Sequence, residues 1–120
     1  MTRGSGPFEE GRVIGAIRLA VIDRTHRSGD LGYSFNRDDW RQGYATEAAT
    51  AMIDAGFRIL GLHRIWAECD VENLGSWGVM RKLGMRREAH LRQAKHVKGH
   101  WRDSYVYAVL DDEWQARREA

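Results

Sequence analysis

Between Ala45 and Leu60 the apolar residues fall at Ala45, Ala48, Ala49, Met52, Ile53, Phe57 and Leu60, and only a helix with one buried face puts that spacing to use. Four residues later the period changes. Over Arg64–Val71 the inward candidates Ile65, Ala67 and Cys69 alternate with Trp66, Glu68 and Asp70, the signature of a strand with one face inward. A one-faced helix beside a one-faced strand is satisfied by layering one on the other, which rules out an all-helical or all-strand chain. Gly61 supplies the left-handed stop between them.

The flanking segments extend the pattern. Val13–Ile22 is β-branched and apolar between turn signals at Glu10-Gly11 and Asp23–Gly29, and a short strand follows at Asp30–Phe35. Asn73 is placed to cap a helix running to Leu83, which Gly84 ends. Strands over Met85–Gln93 and Asp103–Leu110 follow, joined by a loop containing Lys98-Gly99, with a helical turn or two at Asp112–Arg118. The expected class is α+β, with a central, mostly antiparallel sheet and flanking helices. At 120 residues the chain has room for one core. Its division is a short tail or partial strand over residues 1–12 and a single domain over 13–120.

Composition excludes several classes. With 42% hydrophobic and 30% charged residues, the chain has enough apolar side chains to order itself. Stretches such as Val13-Ile14-Gly15-Ala16-Ile17 fall far short of the ~20 residues that cross a bilayer, and no signal peptide opens the sequence. Cys69 is alone and cannot form an internal disulfide, so the cytoplasm is the default expectation. A net charge of +2, from 19 basic and 17 acidic residues, is too balanced for a dedicated nucleic-acid binder. The average conceals an asymmetry: Arg81–Arg102 holds eight Lys/Arg against the single Glu88, a net +7 that leaves −5 on the rest. An anionic partner suits that window; solvated strand and helix faces are the plainer account.

The most informative stretch is Trp40-Arg41-Gln42-Gly43-Tyr44-Ala45-Thr46-Glu47, which opens the first helix. A helix's first turn has unpaired amide hydrogens and the positive end of its dipole, so it holds phosphate without side-chain charge. Gly43 lets the backbone approach an anion, and Ala45 is too small to block it. Three more motifs follow in order: Asn73-Leu74-Gly75-Ser76, then Lys82-Leu83-Gly84-Met85-Arg86-Arg87-Glu88, then Lys98-Gly99-His100-Trp101-Arg102-Asp103 with Tyr107. Together, in register from about Val13 to Trp114, they resemble the GNAT superfamily of acyl-CoA-dependent N-acetyltransferases. The chain is most similar to the branch that includes the ribosomal-protein N-terminal acetyltransferases.

That resemblance implies roles by position. The amides of Gln42, Gly43, Tyr44, Ala45 and Thr46 would hold the pyrophosphate of acetyl-CoA, the co-substrate. Asn73 would bond the pantetheine arm or a nearby main-chain group, beside or instead of capping its helix. Arg41 and Lys82 are candidates for side-chain phosphate contacts. Where the superfamily places Gln or Arg at the start of the cradle, this chain has Trp40, which matters little to contacts made by backbone amides.

Moving an acetyl group from a thioester to an amine needs a neutral amine, a stabilised oxyanion and a proton for the departing thiolate. Amines of pKa ~10 are protonated at neutral pH, so a base within reach contributes roughly 10²–10⁴-fold. Many superfamily members use a Tyr as the acid, at the position of Met80, which has no proton to give. The resembling branch places a Ser three residues after the Asn, which is Ser76, and a base at Glu88. Glu88 sits among cations that would favour its charged form and weaken it as a base. Asp30, before Leu31-Gly32-Tyr33, is the second candidate base and Glu68 a more remote third.

Other signals are weaker. Cys69 reads as a buried thiol rather than a nucleophile, and His96 and His100 flank a Gly-containing loop with no further ligands near, so no metal is expected. Trp101 and Tyr105 could line an acceptor groove. The superfamily fold normally opens with a strand and two helices, for which this chain has only Met1–Arg12. The resemblance therefore implies an N-terminally truncated domain whose sheet face would be covered by a second copy or another partner. The expected activity is direct acetyl transfer from acetyl-CoA to a protein N-terminus or a small amine, with neither membrane nor nucleic acid as partner. A CoA-binding module without transferase activity, or an RNA- or ribosome-associated module using the basic window, are the alternatives.

Overall fold

The computed structural model describes the backbone of residues 8–9, 12–13, 15–35 and 43–119. A two-residue ladder pairs β1 (Phe8–Glu9) with β2 (Arg12–Val13). The main sheet has five strands, β3 (Gly15–Asp23), β4 (Ser28–Phe35), β5 (Arg64–Asp70), β6 (Arg86–Val97) and β7 (His100–Leu110), in the order β3-β4-β5-β7-β6. Three helices, α1 (Tyr44–Arg58), α2 (Leu74–Lys82) and α3 (Asp111–Glu119), follow β4, β5 and β7. The class is α+β, as the alternating periods require.

The period-3.6 segment is α1. Ala45, Ala49 and Ile53 are buried, and Gly56 lets the helix settle onto Leu19 of β3 and Ile65 of β5. The alternation over Arg64–Asp70 buries Ile65, Ala67 and Cys69 and leaves Arg64, Trp66, Glu68 and Asp70 half-buried. α2 docks through Ser76, Val79 and Met80, and α3 through Trp114, which stacks against Phe57 of α1 and donates from Nε1 to Asp54. One core therefore lies between the helices and the inward face of the sheet. No described helix covers the other face. It is largely charged there, with the ion pairs Arg18–Asp30, Arg64–Glu88, Lys95–Glu68 and Arg102–Asp70.

The last two strands run further than the sequence suggests. Lys98 and Gly99 both have positive φ, 50° and 83°, the two-residue turn whose twist matches that of paired strands. It draws in Val97↔His100, His96↔Trp101 and Lys95↔Arg102, so most of the expected loop is hairpin. A bulge between Leu91 and Lys95 interrupts the ladder, with Gln93 at φ 51° and its amide donating to Asp103. His96 packs edge-on against Trp101, and no group of three or more potential ligands occurs among the described residues. No described helix is long and apolar enough to cross a membrane.

Candidate active site

The sheet is joined at its middle by a short seam. β4 and β5 run parallel and pair only at Ser28↔Arg64, Gly29↔Ile65 and Asp30↔Trp66. β4 continues to Phe35 and β5 to Asp70, but β5 gives its other edge to β7 over its full length, from Arg64↔Leu110 to Asp70↔Ser104. Beyond Asp30 and Trp66 the strands part, so the backbone groups of two adjacent strands face a gap between them.

The expected phosphate cradle opens, within the described residues, at Gly43. Gly43 is the N-cap, in the left-handed region at φ 81°, and brings no side chain of its own to cap the helix. Its carbonyl accepts from Glu47, and a Cβ added to it would meet nothing within 4 Å. No acceptor among the described residues meets the amide hydrogens of Tyr44, Ala45 and Thr46. Ala45 is fully buried, so the first turn is anchored from beneath while its amides point along the axis. Among the described residues this arrangement fits the diphosphate of a CoA ester: backbone donors without acceptors, the dipole's positive end and open space beside Gly43. Gln42, and Arg41 and Trp40 before it, lie outside the described residues.

Asn73 caps α2, its Oδ1 accepting from the Ser76 amide at 3.0 Å. The capping role foreseen for it is thus present, and the pantetheine role would fall to its amide group. Ser76, on the first turn of α2, is buried and hydrogen-bonds Cys69 on β5. Burial pushes the Cys69 thiol up to about 11, with the Ser76 bond opposing that shift and the carboxylates of Asp70 and Glu68 adding to it. The thiol is held as a neutral hydrogen-bonding group. Sequence alternation marks Cys69 as inward; its pairing with Ser76 is a tertiary contact that no local pattern reveals.

The candidate carboxylates separate. Asp30 stands on the last β4–β5 pair before the strands part, 3.7 Å from the Arg18 guanidinium. Glu88 lies on β6, with β7 between it and β5, and is clamped by Arg64 through two hydrogen bonds of 2.7 and 3.0 Å. That clamp, above all other causes, holds the Glu88 carboxyl below its usual range, with Arg86 contributing. Glu68, on the parted stretch of β5, faces Lys95 at 3.8 Å. Ser76 thus packs against Cys69 on the core face, Asp30 stands at the seam on the uncovered face, and Glu88 is tied to Arg64 across β7.

Comparison with known proteins agrees with this geometry. Residues 4–86 match the acetyltransferase (GNAT) domain model. The uncharacterized N-acetyltransferase YnaD of Bacillus subtilis is 44% identical over 85 residues, 71% of this chain and 50% of that protein. The spermidine N(1)-acetyltransferase of Escherichia coli is 26% identical over 110 residues, 92% of this chain and 59% of that protein. A crystal structure of a GNAT-family acetyltransferase from Bacillus anthracis superimposes with a TM-score of 0.76 at 38% identity, covering 87% of this chain and 62% of that one. The chain thus spans between half and two thirds of the length of these relatives. With its parted parallel seam, its open helix start and a domain match over most of its length, the chain belongs to the GNAT acetyltransferase family.

Proposed function

We propose that the protein is an acetyl-CoA-dependent N-acetyltransferase that passes acetyl directly to a primary amine in a ternary complex. The single observation that carries this reading is the parting of β4 from β5, taken with a left-handed Gly43 and an α1 first turn whose amides meet no acceptor among the described residues. Bound there, acetyl-CoA would supply the activated acetyl group. The amides of Gln42 to Thr46 hold its diphosphate and the Asn73 amide steadies the pantetheine arm.

The chain's own residues then divide the proton work. Asp30, at the mouth of the gap, takes the proton that the attacking amine must lose as the nitrogen–carbon bond forms. Backbone N–H groups of the parted β4 segment stabilise the charge on the carbonyl oxygen. The Ser76 hydroxyl gives its proton to the sulfur as the carbon–sulfur bond breaks and takes one from water in the same step, so that no serine alkoxide is left. Glu88 serves as the partner of Arg64, since a carboxylate whose charged form is so favoured is a poor proton acceptor.

The acceptor is a small amine or a protein N-terminus. A small amine gains support from the similarity to a spermidine acetyltransferase and from Asp30 and Glu68, whose long pairings with Arg18 and Lys95 leave carboxylates that a cationic substrate could engage in their place. A protein N-terminus is supported by the resemblance of the Asn73–Ser76 motif to that of the ribosomal-protein N-terminal branch.

The test is release of free thiol from acetyl-CoA in the presence of spermidine, a lysine ester or a peptide with an N-terminal alanine. It is paired with calorimetric titration of acetyl-CoA into the wild type and Gly43→Glu. Acetyl-CoA affinity that is lost in Gly43→Glu, together with amine-dependent thiol release, supports the proposal. Unchanged affinity in that variant removes the cradle, and binding without release with any of the three amines leaves a CoA-binding module.

A further inference from the structure

The basic window is only partly consumed by ion pairs. Arg86 meets Glu113, Lys95 meets Glu68, and Arg102 meets Asp70 and Glu72. Arg81 and Arg87 meet no carboxylate among the described residues. Each lies over an aromatic ring, the Arg87 guanidinium 4.3 Å from the centre of Tyr105 and that of Arg81 5.8 Å from Trp77. Both enter one cavity of about 350 Å³, completed by Trp77, Met85 and Tyr107. The cavity lies between the last turn of α2, which carries Arg81, and the β6–β7 ladder, in which Arg87 sits opposite Tyr107.

The two cations act on one spot. Burial raises the Tyr107 phenol, and the charges of Arg87 and Arg81 both oppose that rise, as two cations lining the same cavity should. A guanidinium lying on a ring keeps its plane fixed while its N–H groups stay directed outward in that plane. Two such forks at the rim of a cavity, with no acid among the described residues to neutralise them, match a planar or tetrahedral oxyanion carrying two charges. This is not the α1 cradle, because α1 packs over β3 and β5, whereas the cavity stands over β7 and β6.

We propose that the cavity between α2 and the β6–β7 ladder is a second anion site, binding a phosphate monoester through Arg81 and Arg87. The same chemistry is offered by free phosphate and by a phosphate carried on a small aromatic molecule, and Trp77 at the cavity wall favours the second. Inorganic phosphate and phenyl phosphate, titrated separately and followed by phosphorus NMR and by tryptophan fluorescence, distinguish these sources.

Saturable binding of at least one of them is expected. Losing a charge-assisted pair should weaken binding about tenfold in Arg81→Gln and in Arg87→Gln. Arg87→Lys, which keeps the charge without the fork, should fall between, and Lys98→Gln at the hairpin turn should change nothing. Circular dichroism of each variant confirms that the fold is intact. In Gly43→Glu, and in the presence of saturating CoA, phosphate binding should persist. Equal affinity in wild type, Arg81→Gln and Arg87→Gln overturns the proposal, as does displacement of phosphate by CoA together with its loss in Gly43→Glu. So does a result in which only single-stranded RNA binds, with a steep salt dependence that needs Arg92 and Lys98 equally, since that marks an extended nucleic-acid surface.

Discussion

Replacing Glu88 by Gln separates two accounts of this carboxylate. The side chain is 41% exposed and its partner Arg64 34%, so solvent screens the pair despite its two short hydrogen bonds. An ion pair of this exposure contributes about 0.5–1 kcal/mol, and Gln retains one acceptor for Arg64. For a chain of this size that corresponds to a fall in Tm of roughly 2–5 °C. The sign with pH follows from the lowered carboxyl: the pair's contribution is complete above the ordinary glutamate range and is lost as pH falls through the folded-state value. Urea denaturation at pH 7 and at pH 3 should therefore show a gap between wild type and variant that closes in acid. Turnover at pH 7 should stay within about threefold, because removing a proton acceptor costs on the order of 10²–10⁴-fold. A hundredfold fall in kcat with the fold intact would refute the reasoning and make Glu88 the base. A stability gap that widens in acid would refute the ion pair.

Asp30→Asn should lower kcat by about 10²-fold or more while leaving acetyl-CoA affinity measured by calorimetry unchanged, as expected of a proton acceptor that does not hold the donor. Cys69, buried and shifted to about 11, should react with iodoacetamide at pH 8 roughly two orders of magnitude more slowly in the folded protein than in urea. A rate equal to that of a free thiol would contradict its burial. Trp114→Ala empties the space that α3 fills against Phe57 and Asp54 of α1 and should cost about 3–5 kcal/mol, read from denaturant midpoints, with Trp114→Phe recovering most of it.

What could be read in advance was local. The helix spacing found α1 within two residues of its bounds, alternation found the inward side of β5, and Asn73 and Gly84 marked the ends of α2. The hairpin length was missed because it depends on the backbone angles of Lys98 and Gly99, which hold Val97 and His100 in register although their composition reads as loop. The pairing of Glu88 with Arg64 joins residues 24 apart across an intervening strand, so no window of sequence contains it. Charge counting flagged Glu88 as surrounded by cations, yet it could not say which one would clamp it. The convergence of Arg81 and Arg87 likewise needs both the helix end and the ladder in place. The seam at Asp30 and Trp66 was invisible for the same reason, being a parallel contact between segments separated by a whole helix.

The three-pair seam between Ser28–Asp30 and Arg64–Trp66 also divides the sheet into a β3–β4 ribbon and a β5–β7–β6 ribbon. Few ladder bonds cross the division, so amide exchange should be quickest along its two lips and slowest within each ribbon. A guest lodged in the division would touch both ribbons and act as a rivet between them, making the protein's resistance to unfolding a direct gauge of how much guest is bound.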